Sequence, residues 1–102
     1  MSAWPDHKGK PGTFIDIDGN HVTTTILDEI IEPQGSEKLV YLQLIRFPDD
    51  HLEYRFTYYV RARKGPHKGV AWVFGRNSLV VPPAELKVIL EKARTEKHWE
   101  GF

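Results

Sequence analysis

Between residues 54 and 84 the chain carries Arg55, Arg61, Arg63, Lys64, Lys68 and Arg76, with His67 among them, and not one aspartate or glutamate. Tyr54, Phe56, Tyr58, Tyr59, Trp72 and Phe74 are interleaved with these cations. Cations neutralise the phosphates of a nucleic-acid strand, and each aromatic ring offers a splayed base a stacking surface worth roughly 1–3 kcal/mol. Basic and aromatic residues in one stretch therefore point to single-stranded nucleic acid. The whole chain has 14 Lys/Arg against 14 Asp/Glu and no net charge, so the acids are gathered elsewhere. Such segregation speaks of an anionic partner. The plainer reading is that these cations pair with acids from other parts of the domain or stand in solvent.

Other chemistry has thinner support. Asp16 and Asp18 resemble a carboxylate pair for a metal or for phosphoryl transfer, but Asp18-Gly-Asn20 is first of all a tight-turn sequence. The histidines, His7, His21, His51, His67 and His98, show no i, i+4 spacing with a carboxylate, and exposed or turn positions account for them. Ser78 lacks the Gly-x-Ser-x-Gly context of a nucleophile elbow. Gly65, Gly69 and Gly75 do not lead into the Gly-Lys-Ser/Thr of a phosphate loop. Without cysteine, disulfides, thiolate zinc sites, iron–sulfur clusters and cysteine nucleophiles are excluded. No catalytic residue, metal or cofactor is expected, and the chain reads as a non-enzyme.

The elements that must position these residues follow from periodicity. Residues 13–17 and 21–27 read as two strands around the 18–20 turn, the second rich in β-branched residues and extending through Ile30 and Ile31 toward Pro33. Residues 38–47 are apolar on both faces except Gln43 and Arg46, which places that strand at the centre of a sheet. Residues 53–63 alternate: Tyr54, Phe56, Tyr58, Val60 and Ala62 share one face, and Arg55, Thr57, Tyr59, Arg61 and Arg63 share the other; Tyr54, Phe56 and Tyr58 are assigned to the core. A glycine- and proline-bounded loop over 64–69, a short strand over 70–74 and an extended stretch over 79–81 come next. Pro82 and Pro83 then announce a helix to about Lys97, with Leu86, Ile89, Leu90 and Ala93 as its apolar stripe. Strands first and one helix last give an α+β fold with a four- or five-stranded antiparallel sheet.

At 102 residues the chain suits one domain. Residues 1–12, punctuated by Pro5, Gly9, Pro11 and Gly12, read as a flexible lead in which Trp4 alone could dock, and 13–102 as the folded unit. No apolar run is long enough to cross a membrane as a helix, and the first ten residues have no apolar stretch for a signal peptide. A cytoplasmic protein is the expectation.

The C-terminal half resembles a known family. A basic strand ending in Arg61-Ala-Arg-Lys-Gly65, the loop Pro66-His-Lys-Gly69, a strand through Trp72-Val-Phe74, an extended Ser78-Leu-Val-Val81, a proline at the helix start and an amphipathic helix follow one another. This order is similar to the single-stranded-DNA-binding domain of transcriptional positive cofactor four and the wider group that includes Whirly proteins. The stretch from Trp72-Val-Phe-Gly-Arg76 to Pro82-Pro-Ala-Glu85 also looks like small bacterial and cyanobacterial proteins of that fold. The resemblance implies four antiparallel strands and a C-terminal helix, dimers formed through the helices, and sheets that hold single strands. Gly75-Arg-Asn-Ser-Leu-Val-Val81 is a loose counterpart of the family's approach to the helix.

Taken together, these features suggest a homodimeric single-stranded DNA- or RNA-binding module, of a kind used in transcription regulation. Arg55, Arg61, Arg63, Lys64, Lys68 and Arg76 would contact phosphates, and Tyr59 and Trp72 would stack on bases. The alternative is an interaction or structural module whose basic face meets an acidic protein. Neither reading involves a membrane or a small-molecule substrate.

Overall fold

The computed structural model describes residues 4–63, 65–66 and 68–102. Strands β1 (Pro11–Ile15), β2 (His21–Gln34), β3 (Lys38–Arg46), β4 (Leu52–Arg61) and β5 (Trp72–Phe74) are followed by the helix α1 (Pro83–Thr95). The strands pair antiparallel in chain order, β1-β2-β3-β4-β5, a meander within the expected α+β fold of an antiparallel sheet and one terminal helix. No helix among the described residues is long and apolar enough to cross a membrane.

As its two-faced apolar pattern requires, β3 is the middle strand. Val40 and Leu42 meet Ile30, Ile89, Ala93 and Trp99 on the helix side. Leu39, Tyr41, Gln43 and Ile45 point to the opposite side and are also buried. Partners in register share a face. Tyr54, Phe56 and Tyr58, opposite Leu44, Leu42 and Val40, therefore lie on the helix side, whereas Arg55, Thr57 and Tyr59, opposite Gln43, Tyr41 and Leu39, do not. The face assignment of β4 matches its alternation. Its core assignment is weaker, because the helix packs on Ile30, Val40 and Leu42 and leaves Tyr54 and Phe56 exposed at the flank.

A β-bulge between Ile26 and Asp28 breaks the alternation of β2. The extra residue, Leu27, shifts the phase by one. Ile26 faces away from the helix with its partner Ile45, and three residues later so does Glu29, opposite Gln43. Asp28 and Glu32 face the helix, where Lys97 and Lys92 meet them at 3.0 and 3.3 Å.

The helix begins with Pro83 in its first turn, Glu85 near the positive end of its dipole and Lys92 and Arg94 near the negative end. It stops at Thr95, two residues before the expected end. His98 takes a positive φ of 55°, and the Trp99 N–H returns to the Ala93 carbonyl at 2.9 Å. That turn lays the Trp99 indole on the Tyr54 ring, 5.5 Å between centroids. The expected stripe is split: Ile89 and Ala93 are fully buried, while Leu86 and Leu90 keep about a third of their surface open. The extended residues Leu79 and Val81 pack against the core without forming a strand.

Two local features yield tests. A Cβ on Gly75 would sit 2.1 Å from the Tyr58 ring, and that ring is pinned by its hydroxyl, which accepts the Asn77 N–H at 2.9 Å. Gly75→Ala is therefore expected to destabilise the fold by about 1–3 kcal/mol through overpacking, and adding Tyr58→Ala should recover part of that loss in urea unfolding. At the β3–β4 turn, His51 stacks on Phe47 at 4.4 Å and bonds to Glu53 and Asp49. Those contacts, Glu53 first, raise its pKa above the ordinary imidazole value. In an NMR titration the His51 midpoint should lie above that of an unfolded-chain histidine and drop in Glu53→Gln. A raised folded pKa means that this contribution, screened by solvent, is complete below the unfolded pKa and fades as pH rises through the folded one.

Candidate nucleic-acid interface

The sheet face away from the helix needs its own cover, because Leu39, Tyr41, Gln43 and Ile45 are all buried there. The N-terminal segment supplies part of it, over Tyr41 and Glu29. Expected as a flexible lead, this segment is docked from Pro5 onward. The Tyr41 hydroxyl donates to the Pro5 carbonyl at 2.7 Å. Gly9 N–H donates to Ile26 at 2.7 Å, Ile26 N–H donates to Lys10 at 3.0 Å, and β1 then starts at Pro11. The strap has no apolar period because it is held by hydrogen bonds and one aromatic contact.

That contact is His7, expected as an exposed or turn histidine. It is half-buried, and its ring lies nearly parallel to the Tyr59 ring, at 5.2 Å and 17°, with Tyr41 edge-on at 5.4 Å. Its Nδ1 is 3.2 Å from Glu29 Oε1, its backbone N–H donates to Glu29 Oε2 at 2.8 Å, and its Nε2 is 3.0 Å from the Tyr59 hydroxyl. The tautomer that satisfies both ring contacts carries the proton on Nδ1 and accepts from the tyrosine. Gln43 Nε2 donates to Glu29 Oε1 at 2.9 Å, and Arg55 Nε and Nη2 donate to Gln43 Oε1 at 3.0 and 2.7 Å. Tyr59, His7, Glu29, Gln43 and Arg55 thus form one continuous polar chain beneath the strap. Burial pushes the Tyr59 phenol above its ordinary pKa, against the pull of the Arg55 charge. Burial and then Glu29 do the same to Tyr41. Both phenols hold their protons as donors at neutral pH.

Toward the open edge the same face continues as aromatic surface. Arg61 pairs in register with Trp72 and Tyr59 with Phe74. The Arg61 guanidinium lies 4.2 Å over the Trp72 ring, and the Phe74 ring meets Tyr59 edge-on at 5.6 Å. Arg61 is anchored by donating to the Val70 carbonyl at 3.0 Å and to Ser36 at 3.4 Å. Phe74 is exposed and Trp72 half-buried. An open hollow of about 360 Å³ at the end of β4 is lined by Val60, Arg61, Ala62, Arg63 and Val73.

The expected site residues therefore separate. Arg61, Trp72 and Tyr59 share the β4–β5 surface, and Arg63, Lys68 and Arg76 are exposed beyond the strands. Arg55 shares the face, but six residues along a strand put it roughly 20 Å from Arg61, and its side chain is committed to Gln43. Tyr59 is covered by His7. Lys64 lies outside the described residues, as does His67 in the same loop. The polar chain through His7, Glu29 and Gln43, with Tyr41 beside it, has no counterpart among the expected residues, although Gln43 stands out in the sequence as the polar residue inside an apolar strand.

Asp16 and Asp18 form the expected turn: Asp16 Oδ1 accepts the N–H of Asp18 at 3.0 Å and of Asn20 at 2.8 Å. Among the described residues no three His, Asp or Glu side chains converge as a metal would need. No protein-family model, no curated protein and no solved structure matches the chain.

Proposed function

We propose that this chain is a single-stranded nucleic-acid-binding module without catalytic activity, working as a dimer. One observation carries the reading. Arg61 laid over Trp72, with the exposed Phe74 ring on the same face, forms an aromatic and cationic surface in a stretch free of acidic residues. Arg63, Lys68 and Arg76 stand exposed around it. Stacking on rings of this kind holds bases without regard to sequence, and the surrounding cations follow the phosphates. A transcription-related role would follow from the resemblance of its sequence to the positive-cofactor family.

The dimer is proposed from the second face of α1. Leu86 and Leu90, with Pro83 and Phe102, line an open apolar hollow whose rim carries Lys87, Glu91 and Arg94. A rim with both signs of charge can complement itself across a two-fold axis, Arg94 of each chain facing the other's Glu91. Sedimentation equilibrium should then give twice the 11.8 kDa chain mass, and Leu90→Glu should give the chain mass with the circular-dichroism spectrum retained. A wild-type monomer at micromolar concentration would contradict the dimer.

Binding is tested with fluorescent single-stranded oligonucleotides over a salt series. Phe74→Ala removes an exposed ring and should weaken binding by roughly 5- to 100-fold with the salt slope unchanged, because stacking releases no counterions. Arg63→Gln, Lys68→Gln and Arg76→Gln should each reduce the slope by about one unit. Wild-type protein that ignores oligonucleotides at physiological salt, or variants that bind like wild type, would sink this reading. Salt-sensitive capture of acidic polypeptides in place of oligonucleotides would instead favour the acidic-partner alternative.

A further inference from the structure

We propose that Glu29 is a base-reading carboxylate and that the slot now filled by the His7 ring takes a guanine. This assignment rests on the nucleic-acid reading above and names the ligand group for the covered half of the same face. Glu29 is an unusual residue to find here: its side chain is 2% exposed, and burying a carboxylate is costly unless its oxygens are well supplied with donors. It has three, and two of them come from His7 of the strap. Only Gln43 serves it from within the sheet, among the described residues. Arg55 fixes the sense of the Gln43 amide by occupying its oxygen, so the Gln43 nitrogen must face Glu29. Gln43, held in that sense by Arg55, would keep one hydrogen bond on Glu29 Oε1 when the strap is displaced.

What His7 offers to this site is specific. Its planar ring lies along Tyr59 and gives Nδ1 to Oε1, while its backbone N–H serves Oε2, so the one residue places a donor on each carboxylate oxygen. An ionised carboxylate only accepts, so a base must bring two adjacent donors to replace both. Guanine does so with N1–H and the 2-amino group. Adenine and cytosine place a bare ring nitrogen beside their amino group, and thymine or uracil flanks its single N–H with two carbonyls. Each of those would set a lone pair against the carboxylate. Reading the Watson–Crick edge of a splayed, stacked base is how single strands are recognised with specificity.

His7 is then a competitor held in the same chain. Its strap leaves the sheet at Gly9, whose φ of 78° marks a turn, and Tyr41 holds its far side through the Pro5 carbonyl. Displacing His7 would open Tyr59 and Glu29 together and join them to the surface of Phe74 and Trp72.

The test uses the full chain and short oligonucleotides that alternate thymine with guanine, adenine or hypoxanthine, the last keeping N1–H but lacking the 2-amino group. Wild type should bind the guanine strand about tenfold or more tightly than the adenine strand, with hypoxanthine between them. His7→Ala should raise affinity for the guanine strand several-fold and leave the adenine strand little changed, and Glu29→Gln should erase the difference. Should Glu29→Gln fail to fold, the hypoxanthine comparison still decides with unaltered protein. Equal binding of all three strands by wild type and by His7→Ala would overturn the guanine slot while leaving the nucleic-acid reading standing. No binding of any strand would overturn both.

Discussion

A strand that is apolar on both sides cannot lie on the surface of a small domain. β3 sets that constraint here: Leu39, Val40, Tyr41 and Leu42 are consecutive and all at 1% exposure or less. The sheet must be covered twice, in a chain with one helix to use. The helix covers one side through Ile89 and Ala93. On the other side the strap from Pro5 to Lys10, turned at Gly9, lies over Tyr41, Tyr59 and Glu29 and is held largely by hydrogen bonds. The two layers therefore differ in strength, since apolar burial scales with area while each neutral hydrogen bond adds only about 1 kcal/mol net.

The polar chain from Tyr59 to Arg55 is the consequence of using backbone as a cover. A strap held by hydrogen bonds needs partners on the sheet, and partners inside a buried face must themselves be fully satisfied. Glu29 and Gln43 meet that condition by bonding to each other and to groups on either side. Arg55 is the cation that balances the buried carboxylate, one amide removed. This accounts for its position on the basic strand without any reference to phosphate, while Arg61, resting on Trp72 with backbone carbonyls at its edge, keeps its surface toward solvent.

Where the sequence could be read, it was read through local rules. The alternation of 53–63 assigned the faces of β4, the absence of alternation in 38–47 placed β3 at the centre, and the two prolines located the start of α1. What could not be read depends on contacts distant in sequence. His7 meets Glu29 across 22 residues and Pro5 meets Tyr41 across 36, and a lead rich in glycine and proline carries no periodic sign of either. Nor does composition separate a cation left exposed, such as Arg63, from one already engaged, such as Arg55. The split of the helix stripe was hidden for a similar reason: the 3.6-residue period shows which residues can face inward, not how wide a strip the sheet covers.

The bulge at Leu27 makes β2 two strands laid end to end with a half-step between them. Before it, the residues in line with Ile26 belong to the strap side; after it, the odd-numbered residues from Glu29 onward do. Uninterrupted pairing would exchange the two sides of the downstream segment, sending Ile30 away from the core and Glu29 into it. One inserted residue therefore acts as a parity bit for the whole molecule. It lets a single continuous strand hold a regular β1 hairpin at one end and, at the other, aim acids to both sides of the sheet: Asp28 and Glu32 toward lysines on one, Glu29 toward a histidine on the other.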